Sequence, residues 1–393
     1  MRKEFLQFSP PLIGQEEIDE VVASLRSGWI TTGPRVERFQ EDFKQFIGAP
    51  AALALNSCTS ALHVALAALG IGPGDKVIST PMTFASSIHV IEHQRATPVL
   101  VDVEEDTLNI DPEKVEAAVK ANPEVKAILP VHLYGHPCEI DPILDIAKRD
   151  GLAVIEDAAH SLPARYRSRL IGTPSPKDAV TNVVAFSFYA TKNLTTGEGG
   201  MLTGPPDVID QARIWSLHGM SRDAYKRYTA DGSWSYEVVL PGFKYNMPDL
   251  QAALGLQQLR RLPEMQRTRL RHVAHYNRAL ASLEEVQTPT EREHVESAWH
   301  IYLLRLNLEM LKIDRAQFIE ELRALNIGSS VHFIPVHLHP FYRDKYRYRP
   351  DDYPVAYREF MRCISLPLSP SLTDEDVDDV VEAVTSIVDR HRR

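Results

Sequence analysis

Cysteine is scarce in this chain. Its three copies, Cys58, Cys138 and Cys363, are too few for a disulfide framework and too far apart for the close pairs that hold structural zinc. Positive charge is in deficit as well. Lys and Arg number 43 against 53 Asp and Glu, and the net charge of −10 speaks against a general nucleic-acid partner. It leaves room for a local basic pocket around a small anion. The start, Met1-Arg2-Lys3-Glu4-Phe5, lacks the apolar core of a secretory leader. Residues 45–74 lack any formal charge, which raises the question of a membrane helix. Pro50, Asn56, Ser57, Thr59, Ser60, His63 and Pro73 interrupt that run, so a buried strand, a polar turn and a core helix explain it better. The absences together set an expectation of a cytoplasmic protein with no nucleic-acid and no membrane partner. No Gly/Ser linker, low-complexity segment or internal repeat breaks the chain.

What is present is strand–helix alternation. The 393 residues are 44% apolar, enough for a large core and two domains. Short apolar runs at 51–55, 76–80, 98–103, 127–133, 153–156, 183–188 and 200–203 are rich in Val and Ile and carry little polar alternation, as in strands buried on both faces of a mostly parallel sheet. Helical patterns such as 111–121 and 142–149 lie between them, which makes an α/β class. A long helical pattern then runs from near Asn246 to about Leu283, with Pro263 as a bend. A strand-like 301–306, a helix at 315–325 and a final helix follow. Thr373 caps that last helix, Asp374, Glu375 and Asp376 fill its first turn, and Val377, Val380, Val381, Val384, Ile387 and Val388 form its apolar stripe. The division expected is a large domain over 1–255 and a smaller C-terminal α+β domain over 256–393.

Three segments carry chemistry. In Ser187-Phe-Tyr-Ala-Thr-Lys-Asn-Leu-Thr-Thr-Gly-Glu-Gly-Gly200, Lys192 follows an apolar, aromatic strand end. Desolvation there would lower its pKa and free a neutral amine for Schiff-base chemistry, although a surface loop is the commoner fate of lysine. In Val154-Ile-Glu-Asp-Ala-Ala-His160 a buried strand ends in acids and a histidine, at the strand end where ligands of such sheets gather. Asp157 could face a cofactor nitrogen there, or merely cap the next helix. In Asn56-Ser-Cys-Thr-Ser-Ala-Leu62, Ser57, Thr59 and Ser60 open a helix whose free amides suit a phosphate; capping and phosphate binding are compatible.

Taken in order, these segments and Ser27–Pro34, Gly72–Val77, Pro98–Val103, Pro130–Gly135, Pro241–Asp249 and Ser365–Leu368 resemble the DegT/DnrJ/EryC1/StrS sugar aminotransferases over nearly the whole chain. The resemblance implies fold type I of the pyridoxal 5'-phosphate enzymes, the aspartate aminotransferase superfamily: a large domain with a central, mostly parallel seven-stranded sheet flanked by helices, and a smaller C-terminal domain. It implies that Lys192 bonds the cofactor, Asp157 faces the pyridine nitrogen, His160 lies beside the phenolic oxygen and Phe84 stacks on the ring. It assigns Thr59, Ser60 and Ser187 to the phosphate. It brings Asn246 to the phosphate of the other subunit, hence a homodimer with shared sites. The purely structural roles, a core position for Phe84 and a helix cap for Asn246, stay open. Trp29, Ile30, Thr31 and Thr32 would line the sugar site, with His332 and Tyr189; Tyr189 stands where many relatives carry histidine.

The activity so implied is transfer of an amino group from L-glutamate to a nucleotide-linked keto sugar, a UDP- or dTDP-4-keto-6-deoxy sugar foremost. Amination at C3, a sugar dehydratase and a regulatory protein on the same scaffold are the alternatives; dehydrating relatives replace the lysine by histidine, and Lys192 is present. The stretch 332–349 is basic and aromatic, suited to a nucleotide diphosphate or to solvent, and Arg222, Lys226 and Arg227 form a weaker patch. His332, His337 and His339 have a superficial metal spacing without an accompanying cysteine or clear carboxylate, so no metal is expected.

Overall fold

A computed structural model describes residues 2–174, 180–221 and 236–393. Arg222, Lys226 and Arg227 lie outside them.

Seven strands form the central sheet: β1 (Ala51–Leu55), β2 (Lys76–Ser79), β3 (Thr97–Leu100), β4 (Val125–Ile128), β5 (Ala153–Asp157), β6 (Asn182–Ser187) and β7 (Gly200–Gly204). Their spatial order is β1-β7-β6-β5-β4-β2-β3, and β7 alone runs against its neighbours. The missing polar alternation has a direct cause. Successive residues alternate between two cores, one on each face of the sheet. Ala52, Ala54, Val154, Val184 and Phe186 enter one, and Leu53, Leu55, Ile155, Val183 and Ala185 enter the other.

Helices cover both faces. They are α1 (Gln15–Ser27), α2 (Pro34–Ile47), α3 (Cys58–Ala68), α4 (Ser86–His93), α5 (Pro112–Ala121), α6 (Ile140–Asp150) and α7 (Pro206–Ser216). The uncharged stretch is β1 followed by α3, which buries every residue except Thr59 and Ala68. A helix that is apolar all round belongs inside a protein core, and no helix among the described residues is long and apolar enough to cross a membrane.

The long helix α8 (Asp249–Leu280) contains Pro263 and passes through two cores. Ala252, Leu256 and Leu259 pack under the large sheet, whereas Val273, Tyr276 and Leu280 enter a third core with Leu6, Phe318 and Val384. That third core belongs to the smaller α+β lobe. Its antiparallel sheet orders β8 (Val286–Gln287), β9 (Tyr302–Leu306) and β10 (Cys363–Leu366), and its helices are α9 (Arg315–Ala324), α10 (Pro340–Tyr346), α11 (Pro354–Arg362) and α12 (Asp374–His391). Thr373 caps α12 through a capping box with Asp376.

The lobes are joined along residues 102–106. The Asp102 carboxylate accepts hydrogen bonds from the Val355 and Ala356 amides, both at 2.9 Å, and so caps α11 from the large lobe. From the small lobe, the Arg305 guanidinium donates to the carbonyls of Glu105 (2.7 Å) and Asp106 (2.9 Å) and lies 3.6 Å from the Glu359 carboxylate. Arg305 and Glu359 are 2% and 1% exposed, so the guanidinium relies on that carboxylate in a site that water barely reaches, while Glu359 also meets Arg358 at 3.2 Å and Arg362 at 2.8 Å.

Candidate active site

A cavity of about 500 Å³ opens between the lobes at the carboxyl ends of β5 and β6. Ser57, Thr59, Phe84, Asp157, His160, Ser187, Tyr189, Lys192 and His332 all line it. Residues distant in sequence therefore meet where strand ends in this kind of sheet leave a crevice.

Asp157, the last residue of β5, is 4% exposed. The Ser87 hydroxyl donates to Oδ2 at 2.7 Å and the Ala159 amide to Oδ1 at 3.1 Å; the Cys58 thiol lies 3.9 Å from Oδ1. Burial pushes the carboxyl pKa upward, while those bonds and the charge of Lys192 act the other way. Such a carboxylate is poorly solvated and short of a cationic partner, which is what a protonated ring nitrogen supplies.

Lys192 lies in the turn after β6, where its amide donates to the Tyr189 carbonyl at 2.9 Å. Burial lowers its ammonium pKa to about 8, against smaller opposing effects of Cys58 and Asp157. A group with that value exchanges its proton readily near neutral pH. His300 Nε2 lies 3.4 Å from Lys192 Nζ. The His160 ring packs 4.4 Å from His300 and 5.7 Å from Phe333, nearly parallel to the latter. The Tyr134 amide donates to His160 Nδ1 at 3.2 Å, so the neutral ring carries its proton on Nε2. Burial holds His160 well below the usual histidine range and takes His332 down to about 4, and Lys192 adds to both shifts.

The anion cradle is the start of α3. Ser57 caps the helix, its Oγ accepting from the Ser60 amide at 3.1 Å, and the first-turn amides of Cys58 and Thr59 have no intrahelical acceptor. With the Thr59 and Ser187 hydroxyls they make a donor set for a phosphate beside Lys192. Ser60 is placed differently from Thr59. Its hydroxyl donates to Asn56 Oδ1 at 2.6 Å, and it supports the cap without lining the cavity. Phe84, 61% exposed, stands at the wall with its ring 5.7 Å from Phe333. A buried acid, an amine, an anion cradle and an aromatic wall around one cavity fit pyridoxal phosphate.

Asn246 does not line its own chain's cavity. Its side-chain amide donates to Thr32 Oγ1 at 2.6 Å, and the Thr32 hydroxyl donates to the Met247 carbonyl at 2.6 Å. Trp29, Ile30 and Thr31 also stand outside the cavity and are exposed. In the stretch 332–349 only His332 and Phe333 reach it. Arg343 pairs with Asp344, Lys345 with Glu92 and Arg349 with Asp352, so these cations meet acids of their own chain.

Sequence reasoning passed over Ser87, Cys58 as a neighbour of Asp157, Phe333 and His300. Ser87 carried a weak signal, three residues after Phe84 at the start of α4. His300 carried none, since it arrives from 108 residues beyond Lys192.

Comparison with known proteins agrees with this geometry. The model of the DegT/DnrJ/EryC1/StrS aminotransferase family matches residues 11–385. The chain is 50% identical over its full 393 residues to the uncharacterized protein MJ1066 of Methanocaldococcus jannaschii, which it covers completely. It is also 50% identical over 389 residues to the spore coat polysaccharide biosynthesis protein SpsC of Bacillus subtilis, with 98% of each chain covered. Among solved structures, the putative sugar aminotransferase Spr1654 from Streptococcus pneumoniae in its PMP form superposes with a TM-score of 0.90 at 36% identity, covering 98% of this chain and 99% of that one. The PLP and apo forms of the same protein give 0.89.

Proposed function

The chain belongs to the DegT/DnrJ/EryC1/StrS aminotransferase family, and from that premise we propose that it moves an amino group from L-glutamate to a nucleotide-linked keto sugar, using pyridoxal phosphate. A UDP- or dTDP-4-keto-6-deoxy sugar aminated at C4 is the acceptor we favour. The names of SpsC and Spr1654, one a spore coat polysaccharide biosynthesis protein and the other a putative sugar aminotransferase, support a sugar acceptor. The observation that carries the reading is the convergence of the Lys192 amine and the buried Asp157 carboxylate on one cavity beside the α3 N-terminus.

The bound cofactor supplies an electron sink that stabilises negative charge on the substrate carbon. The rest falls to residues of this chain. Asp157 holds a proton on the ring nitrogen, and Ser87 and the Ala159 amide hold Asp157 in place. The α3 amides and the hydroxyls of Thr59 and Ser187 fix the phosphate and so the register of the ring. Lys192 Nζ, near its pKa of about 8, takes a proton at one atom and returns it at another. His160 stays neutral and presents Nε2–H as a donor. Tyr189 and His332 line the mouth and would meet the sugar.

Because Asn246 and the 29–31 loop stand outside their own cavity, we place them at the site of a second copy in a homodimer, with domains divided near residues 255 and 256. A cytoplasmic site suits the three free, buried cysteines. Incubating the holoenzyme with L-glutamate and a panel of keto-sugar nucleotides tests the activity. Release of 2-oxoglutarate together with an amino sugar supports it; no release with any member of the panel, or a deoxygenated sugar without amine, overturns it.

A further inference from the structure

His300 enters the site from the small-lobe side of the chain, just before β9, and is held there by its backbone. Gly135 closes against it: a Cβ at Gly135 would lie 2.7 Å from the Trp299 nitrogen and 2.8 Å from the His300 nitrogen. The Ala298 amide donates to the Gly135 carbonyl at 2.9 Å, and the Ile301 amide to the Tyr134 carbonyl at 3.2 Å. The ring is 5% exposed, and its two nitrogens have different partners.

Those partners determine where its proton sits. The Ala298 carbonyl can only accept, and it lies 2.7 Å from the Asn193 side-chain nitrogen. That fixes the orientation of the Asn193 amide. Asn193 Oδ1 therefore faces His300 Nδ1, at 3.3 Å, and a carbonyl oxygen requires a donor opposite it. Nδ1 carries the hydrogen, and Nε2, the atom 3.4 Å from Lys192 Nζ, is left bare.

We infer that His300 is a positioning residue for the reactive amine, a neutral imidazole locked by Asn193 into the tautomer whose bare Nε2 accepts a hydrogen bond from Lys192 Nζ. One N–H directed at His300 turns the other tetrahedral positions of the nitrogen, its lone pair included when the amine is neutral, toward the cavity. The charged and titratable neighbours favour this state. Burial opposes protonation of His300, and the charges of Lys192, His160, Arg269 and His332 act the same way. Cys58 and Asp157 are the groups that favour charge on Lys192. The role in amino transfer rests on the cofactor reading above; the hydrogen-bond chain itself does not.

The test uses the full chain stripped of cofactor. Nitrogen-15 labelling of histidine reads the His300 tautomer in the unaltered protein, with Nδ1–H and bare Nε2 expected. Reductive methylation of Lys192 by formaldehyde and cyanoborohydride, followed by mass spectrometry across a pH series, reads the amine's titration midpoint. His300→Phe should lower that midpoint by about half to one unit, since a hydrogen bond that favours the ammonium is gone, and methylation below the midpoint should rise about three- to tenfold. His300→Gln, whose side-chain oxygen accepts as Nε2 does, should restore the wild-type midpoint. A proton on Nε2, or equal midpoints in wild type and His300→Phe, overturns the inference. If these results hold but pyridoxal phosphate forms no imine with the chain, the cofactor reading fails and the hydrogen-bond chain stands.

Discussion

Gly200 leaves no space for a side chain against Ser57. A Cβ there would lie 2.5 Å from the Ser57 carbonyl carbon and 2.6 Å from the Cys58 nitrogen, so β7 and the start of α3 touch backbone to backbone. Both contacts are to main chain, which cannot swing aside as a side-chain tip does. Gly200→Ala should destabilise the protein by about 1–3 kcal/mol and weaken pyridoxal phosphate binding, because the displaced Cys58 and Thr59 amides belong to the anion cradle. Urea unfolding and cofactor titration would measure both; unchanged affinity would separate the cradle from this contact.

Lys192→Met should cut turnover by roughly ten-thousandfold or more, since the variant loses its proton carrier and nucleophile together. Stability of the cofactor-free chain should move the other way. The folded pKa of about 8 lies below the ordinary lysine value, so the unfolded chain binds the proton more tightly. The charged amine therefore costs stability below pH 8, and the cost fades as pH rises toward the unfolded value. Below pH 8 Lys192→Met should be more stable than wild type by about 2 kcal/mol, with the gap closing at alkaline pH. Denaturant titration of the two proteins at several pH values checks this.

Asp157→Asn keeps the size of the side chain and removes its charge. Loss of the ring-nitrogen partner should lower kcat by about a hundredfold or more while changing KM less. The folded carboxyl has a raised pKa, so the folded state binds the proton more tightly and loses stability as pH rises above the ordinary carboxylate range. Without cofactor, Asp157→Asn should then melt about 1–3 °C higher than wild type at neutral pH. That difference should vanish in acid, where both chains carry an uncharged side chain, and calorimetry over a pH series would show it.

Arg305→Met should cost about 1–3 kcal/mol in urea unfolding, because it removes one of three guanidinium groups around the buried Glu359 carboxylate and frees the Glu105 and Asp106 carbonyls. Glu359 keeps Arg358 and Arg362 as partners, at 3.2 and 2.8 Å, which limits the loss. The double variant Arg305→Met, Glu359→Gln should recover part of it, and a double-mutant cycle measures the coupling.

Much of this was legible in the sequence, for reasons that differ from element to element. Each of the seven apolar runs overlaps a strand of the large sheet, since a strand buried on both faces must be apolar at successive positions. Asp157, Thr59 and Lys192 were legible because a strand end, the first turn of a helix and the turn after a buried strand are marked by local pattern, whereas the part given to Ser187 came from the family resemblance. His300 was hidden because its part depends on Asn193, Ala298 and Gly135 meeting in space. The basic character of 332–349 left a ligand and solvent both open, whereas Lys345 meets Glu92 from a helix 253 residues earlier. Charge is written in sequence; its pairing is settled by the fold.

The seam at residues 102–106 has a mechanical result. Asp102 grips the head of α11, and Arg305 reaches back to two carbonyls four residues away or fewer. The small lobe is held there and again at α4, where Tyr342 lies 2.6 Å from His89 and Tyr346 donates to Glu92 at 2.6 Å. Parting the lobes for a bulky sugar nucleotide would break both sets of bonds, so each adds to the cost of opening the cleft.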